Sequence, residues 1–333
     1  MMTAQTNRKA SELPSGDPAL LNRISWARRW TERQVSADYA LAARKKALDG
    51  KGRRSQAEQG FALRTLAWHA LWRGDLTLSM EYCLQAESFL PETKFQQARA
   101  GIYSLLGKIH SYRNRFDLGL YSVERGLWLI DESDQDPATL VDLMLTQISI
   151  QRHSGERARA GVTLGRAREL AVGENLALVE FCTANLLLDD GDAIRACEHA
   201  QTGVQTTEEA GNRILLPFAR AALAGSLIAL GKHLDAHEQI SNGLSEISDG
   251  NDMMARCMLM VRKAALLRIK GEIGPAVEML SDAASIADAQ TYALLRKRIA
   301  LEQADILEQQ GDYKAAVAQH KIAWRLQSET RVR

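Results

Sequence analysis

A spacing of about forty residues runs through this 333-residue chain and restricts the folds open to it more than any other feature. Helix-breaking turn residues fall at Gly74, Asn114, Gly155, Gly191, Gly231, Gly271 and Gly311, separated by 40, 41, 36, 40, 40 and 40 residues. An equivalent earlier turn falls near Val35, unmarked by glycine. Five residues after the turns stand Ala40, Ser79, Gly119, Ala160, Ala196, Ala236, Ala276 and Ala316. Twelve after them stand Ala47, Ala86, Gly126, Ala167, Gly203, Gly243, Ala283 and Ala323. Seven before the marked turns stand Ala67, Gly107, Ala184, Ala224, Ala264 and Ala304, a series broken only by Ile148. Positions seven apart share one helix face, and side chains no larger than a methyl or hydroxymethyl let a second helix approach closely.

Apolar residues at helical spacing fill the intervals: Leu223, Leu227 and Leu230 precede Gly231, and Leu234, Ile240, Leu244 and Ile247 follow it. Each unit therefore reads as a helical hairpin that cannot bury both faces alone, so neighbours must stack into a continuous core. About eight hairpins account for residues 19–328, with turns near 35, 74, 114, 155, 191, 231, 271 and 311. Residues 1–18 lack periodicity and are expected to form a flexible leader, and 329–333 a short tail.

Composition narrows the setting. Hydrophobic residues make up 46% and charged ones 25%, the balance of a globular chain. No apolar run reaches the roughly 18 residues of a membrane span, and Met1 to Pro18 holds no apolar segment of a secretory signal. Four cysteines, none in a CxxC pair, fit a reducing compartment, so a cytoplasmic location is expected.

The small-residue triplet around each turn resembles the tetratricopeptide repeat over nearly the whole chain. The period is longer than that family's usual ~34 residues, the helix-ending proline is missing, and the aromatic near the start of the first helix is absent except for Tyr103. Longer repeats of this kind are similar to those of bacterial signalling proteins, including sensor regions that precede diguanylate cyclase domains and peptide-sensing regulators of Gram-positive bacteria. The resemblance implies an all-α, right-handed α-solenoid in which the first helix of each hairpin lines a concave groove. It further implies that residues ten, six, three and two before each turn point into that groove.

Read in that register, the amino-terminal half of the groove is aromatic and basic: Arg64, Trp68 and Trp72, then Ser104, Lys108 and Tyr112, then Arg152 and His153, then Phe181 and Asn185. Lys108, Arg64 and Arg152 would pair with carboxylates and Asn185 with peptide amides, while Trp68, Trp72 and Tyr112 would supply anchoring apolar area. The alternatives are tryptophans that pack on each other, four residues apart on one helix, and charges that are solvated on an open face. The carboxy-terminal stretch reads Phe218, Ala221, Gly225 and Ile228, then Met258, Val261, Ala265 and Arg268, either a seat for an amphipathic helix or inter-repeat core.

The expected function is non-catalytic recognition of a protein or peptide segment, acidic or carboxy-terminal. The alternative is a ligand- or peptide-sensing regulatory module of a bacterial signalling protein, such as a sensor region that precedes a diguanylate cyclase output domain. No GxSxG, HExxH, GxxxxGK[ST] or GxGxxG motif points to an enzyme or a cofactor. His233 and His237 sit four apart without an adjacent third ligand, so no metal is expected. Ten basic residues between Arg23 and Arg54 face only Glu32, Asp38 and Asp49, yet the net charge is +1, and nucleic acid is not the expected partner. At the last hairpin no polar capping helix follows, so Ala316, Ala323 and Trp324 are expected to face solvent and to offer a homodimer contact.

Overall fold

The computed structural model describes residues 16–130, 137–247 and 252–328, and every regular element among them is an α-helix. They form consecutive antiparallel hairpins. The first four are α1 (Pro18–Arg28) with α2 (Arg33–Asp49), α3 (Arg53–Arg73) with α4 (Leu76–Phe89), α5 (Gln96–Tyr112) with α6 (Phe116–Leu129), and α7 (Pro137–Ser154) with α8 (Arg157–Leu170). The next four are α9 (Glu174–Asp189) with α10 (Ala193–Glu209), α11 (Leu216–Ala229) with α12 (His233–Glu246), α13 (Met253–Ile269) with α14 (Ile273–Ala289), and α15 (Ala293–Gln309) with α16 (Tyr313–Ser328). The first helices α3, α5, α7, α9, α11, α13 and α15 stack in sequence, giving a right-handed α-solenoid. No described helix is long and apolar enough to cross a membrane.

The seven marked turns share one geometry. Each places a residue in the left-handed region, from φ 60° at Asn114 to φ 99° at Gly74. The amide after it bonds back five residues, as in Asp75 to the Ala70 carbonyl at 2.9 Å and Lys232 to Leu227 at 2.9 Å, closing a Schellman cap. Glycine takes this conformation without steric penalty, and asparagine is the side chain that best substitutes for it. The small positions are where helices cross: Ala67, Ala86, Ala160, Ala196, Ala224, Ala264, Ala283 and Ala304 have no solvent exposure. A Cβ added at Gly126 would stand 2.6 Å from Leu143 Cδ2, so the close approach there requires glycine.

Three expectations differ from what is observed or lie outside it. The first turn spans Arg29–Glu32 and α2 begins at Arg33, a few residues before Val35, because Ser25 and Ser36 exchange hydroxyl-to-carbonyl hydrogen bonds at 2.7 Å and staple α1 to α2 there. Ala316 and Ala323 do not face solvent: they are 1% and 3% exposed, packed under α15 as their counterparts are in every other hairpin. Only Trp324 of that trio is exposed, with Tyr313 and Val317 on the same helix. The leader up to residue 15 and the tail 329–333 lie outside the described residues.

The solenoid turns back on itself. α3 touches α13, and α5 touches α15. Tyr292, one residue before α15, donates its hydroxyl to the Gly74 carbonyl at 2.5 Å, and Arg33 pairs with Asp252 at 2.5 Å. Asn114 donates its side-chain amide to the Leu326 carbonyl. One hydrophobic cluster runs across this seam, from Trp30 and Trp72 through Phe218 to Leu295 and Ile306. Gly74 is required here twice over, since a Cβ would also fall 1.9 Å from the Tyr292 hydroxyl oxygen.

Candidate ligand site in the lumen of the superhelix

Closure converts the concave groove into a cavity of about 480 Å³. First helices from both ends of the chain wall it: Trp72 from α3, Lys108 and Tyr112 from α5, Arg152 and His153 from α7, Phe181 and Asn185 from α9, Phe218 from α11, Met258 from α13 and Arg298 from α15. Seven of the ten residues expected in the groove thus meet around one space. The two halves, read from the sequence as separate surfaces, share it.

The other three stand apart. Trp68 is 4% exposed and packs edge-on against Trp30 at 4.6 Å and tilted against Trp72 at 5.9 Å. Arg64 lies 3.7 Å over the Trp26 ring, a cation–π contact outside the cavity. Ser104 is buried and donates to Asp142 Oδ2 at 2.6 Å. Trp72 has a foot in both places: it lines the cavity, yet is buried against Trp30 at 5.2 Å and Phe218 at 5.5 Å.

The polar lining is arranged in pairs. Lys108 Nζ meets Asp142 Oδ1 at 2.6 Å, with Ser104 Oγ accepting from the same ammonium at 3.0 Å. Arg152 holds Asp189 at two points, Nε to Oδ2 at 2.5 Å and Nη2 to Oδ1 at 3.0 Å. Both cations are therefore neutralised rather than solvated on an open face. Asn185 donates to the Phe181 carbonyl at 2.8 Å, which fixes its amide against α9. Five basic side chains reach the cavity (Lys108, Arg152, Arg157, Lys297 and Arg298) against Asp142 and Asp189 alone, so its potential is positive.

Burial sets the protonation states. His153, stacked on Phe116 at 6.5 Å, is held neutral by desolvation first, then by Arg152, Arg298 and Lys297. Burial also pushes the Cys182 thiol up to about 12 and raises the Tyr112 and Tyr292 phenols. These shifts move the cysteine and tyrosines away from their nucleophilic anions. Among the described residues no group of three or more His, Cys, Asp or Glu side chains is placed to hold a metal ion.

The residues missed by the sequence reading include Asp142 and Arg157 and a group from the carboxy-terminal end: Met254, Tyr292, Leu294, Leu295, Lys297 and Arg298. Leu301, ten before Gly311, obeys the repeat register, whereas Lys297 and Arg298 lie a full turn earlier. They reach the lumen because closure carries the amino-terminal half of α15 across to α5, and a one-repeat register holds no information on that.

No protein-family model and no curated protein matches the sequence. Among solved structures the chain is similar to a Rap protein complexed with competence and sporulation factor, at 11% identity and a TM-score of 0.70 over 94% of this chain and 92% of that one. It is similar to aspartyl phosphate phosphatase F from Bacillus subtilis, at 14% identity and a TM-score of 0.60 over 86% of this chain and 75% of that one. It also resembles a signal transduction ATPase with a tetratricopeptide repeat sensor from Pyrococcus horikoshii, at 13% identity and a TM-score of 0.52 over 94% of this chain and 48% of that one. At these identities the likeness is one of fold: a helical-repeat solenoid of the tetratricopeptide type.

Proposed function

We propose that this protein is a non-catalytic receptor for a short peptide segment, held in the lumen between the two ends of the solenoid. The observation that carries the reading is the cavity itself, which apolar side chains (Trp72, Phe181, Phe218, Met258) and basic ones line together. A volume of about 480 Å³ lies in the range of pockets that hold small ligands and short segments. A few extended residues, acidic or carboxy-terminal, suit both the size and the charge. The Rap protein crystallised with competence and sporulation factor supports the same use of this architecture.

The test fills the lumen without touching its core. Ser149 lines the cavity and is half-buried, so Ser149→Trp should place an indole in the ligand's space while leaving the helical circular dichroism unchanged. Wild-type protein mixed with a random pentapeptide pool should retain a subset on gel filtration, and S149W should retain none. Equal retention by the two proteins sinks the lumen as the site.

A regulatory version of the reading has its own support. The lumen lies across the seam, so an occupant touches both ends of the solenoid and can bias its pitch, as a sensor for a separate output such as a diguanylate cyclase requires. A ligand-dependent change in scattering radius would favour it. On the outer side, the exposed Tyr313, Val317 and Trp324 of α16 would serve a second copy of the chain. Trp324→Glu should then halve the mass seen by light scattering, and an unchanged mass removes the dimer.

A further inference from the structure

One end of the lumen concentrates positive charge beyond what its acids neutralise. Arg152 and Arg298 line it together, and Arg262 stands close enough that Arg298 and Arg152 both disfavour its charged form. Two carboxylates lie nearby, and each is already engaged. Asp189 is gripped at two points by Arg152, and Glu302 receives Arg268 Nε at 2.7 Å. Among the described residues neither Arg262 nor Arg298 has a carboxylate within salt-bridge distance. Gly225 contributes by having no side chain: a Cβ there would lie 2.5 Å from Arg262 Nη2, so the guanidinium occupies the room that glycine leaves on α11.

The Arg262 and Arg298 guanidiniums, half-buried and without a carboxylate of their own, are unfavourable as charges in the empty protein. Desolvation and Arg152 together lower Arg298 to about 10. A ligand anion would remove the penalty, and the planar fork of arginine fits a carboxylate at two points. The neighbouring wall is apolar: Leu294 and Leu295 precede the pair on α15, and Met254 and Met258 face them from α13. The occupant suited to both features has a carboxylate at one end and an apolar body.

We propose that Arg298, backed by Arg152 and Arg262, is the seat for the ligand's carboxylate and so fixes the direction in which a peptide lies in the lumen. This rests on the lumen being the binding site, and it adds a residue and a polarity that the repeat register does not contain. The carboxylate is that of the peptide's carboxy terminus or of an Asp or Glu side chain, two sources of one chemistry.

Two measurements separate this proposal from the reading beneath it. In the first, pentapeptide pools lacking Asp and Glu are offered as free acids and as carboxy-terminal amides. Wild type should retain the free acids at least about tenfold more. Arg298→Met should lose the preference and Arg298→Lys keep part of it. An amidated pool containing Asp and Glu, retained like the free acids, would assign the seat to a side-chain carboxylate. Equal retention of free-acid and amidated Asp/Glu-free pools, with the Asp/Glu pool no better, overturns the seat while leaving lumen binding intact.

The second measurement does not need a peptide. The Arg298 Nε–H resonance should move on titration with butyrate and stay in place with butyramide. A resonance indifferent to both overturns the seat whatever the pools do. A resonance that follows butyrate while no pool is retained upholds the seat and overturns the peptide reading. Arg298→Met should also raise the urea midpoint of the empty protein, since it removes an uncompensated charge, and a lowered midpoint would make Arg298 a structural residue and end the proposal.

Discussion

His69 shows how one side chain ties this fold to pH. It is 2% exposed, and its Nε2 lies 2.8 Å from Ser36 Oγ. Ser36 spends its own proton on the Ser25 carbonyl, so the imidazole donates and stays neutral, with Nδ1 unpartnered. Burial first, then Arg33, Arg73 and Arg29, lower its pKa to about 3. The unfolded chain takes up a proton near the ordinary value of about 6.5 and the folded one refuses it, so stability is full above 6.5 and declines as the pH falls toward 3. At pH 5 this one group should remove about 2 kcal/mol. Urea midpoints at pH 7 and pH 5 should show the loss, and His69→Gln should reduce it; His153, held neutral in the same way, keeps the slope from vanishing. Unchanged pH dependence in H69Q would mean that His69 is protonated in the fold. The placement of Trp68 teaches a related lesson. It is in the groove register, but the register names a helix face without saying what packs on it, and here Trp30 covers that face.

At the level of the helix, the chain was legible because its constraints are local. A left-handed residue ends the first helix of every hairpin after the first, and small residues mark the crossings, so both leave their record at fixed offsets from one position. Ala224 illustrates the strictness of the crossing. It has no exposed surface and packs with Ile240 and Leu266, side chains contributed by α12 and α13. Ala224→Leu should therefore push α11 off its neighbours and lower stability by roughly 1–3 kcal/mol in urea, far more than the exposed Val277→Leu on α14. Equal midpoints for the two variants would show that the crossings are more compliant than their packing implies. The same locality explains the error at α16. Absence of a following helix suggested exposure, but Ala316 and Ala323 point toward α15, and the uncovered face carries Tyr313, Val317 and Trp324 instead.

At the scale of the whole molecule the decisive feature is closure, which no single repeat encodes. It sums small rotations over several hairpins, so residues more than two hundred apart, Gly74 and Tyr292 or Arg33 and Asp252, meet without any motif relating them. This is why the basic residues of α15 escaped the sequence reading while those of α5 and α7 did not. Closure also bears on traffic, because a ligand that enters the lumen between the two ends of the solenoid does so when the seam parts. Tyr292→Phe keeps the ring in the core and removes the hydroxyl that holds Gly74. The Gly74 carbonyl still accepts the Leu76 amide at 3.1 Å, so the loss should be that of one ordinary hydrogen bond, about 1 kcal/mol. Assigned to the seam, that energy multiplies the open population roughly fivefold. Hydrogen exchange at the start of α15 should quicken by that factor, and peptide association should quicken with it, while exchange within the α7–α8 hairpin stays as it was. Faster exchange with unchanged association would place the entry route away from this seam, and unchanged exchange would mean that the apolar contact of Trp72 with Phe218, rather than the hydroxyl, keeps the two ends together.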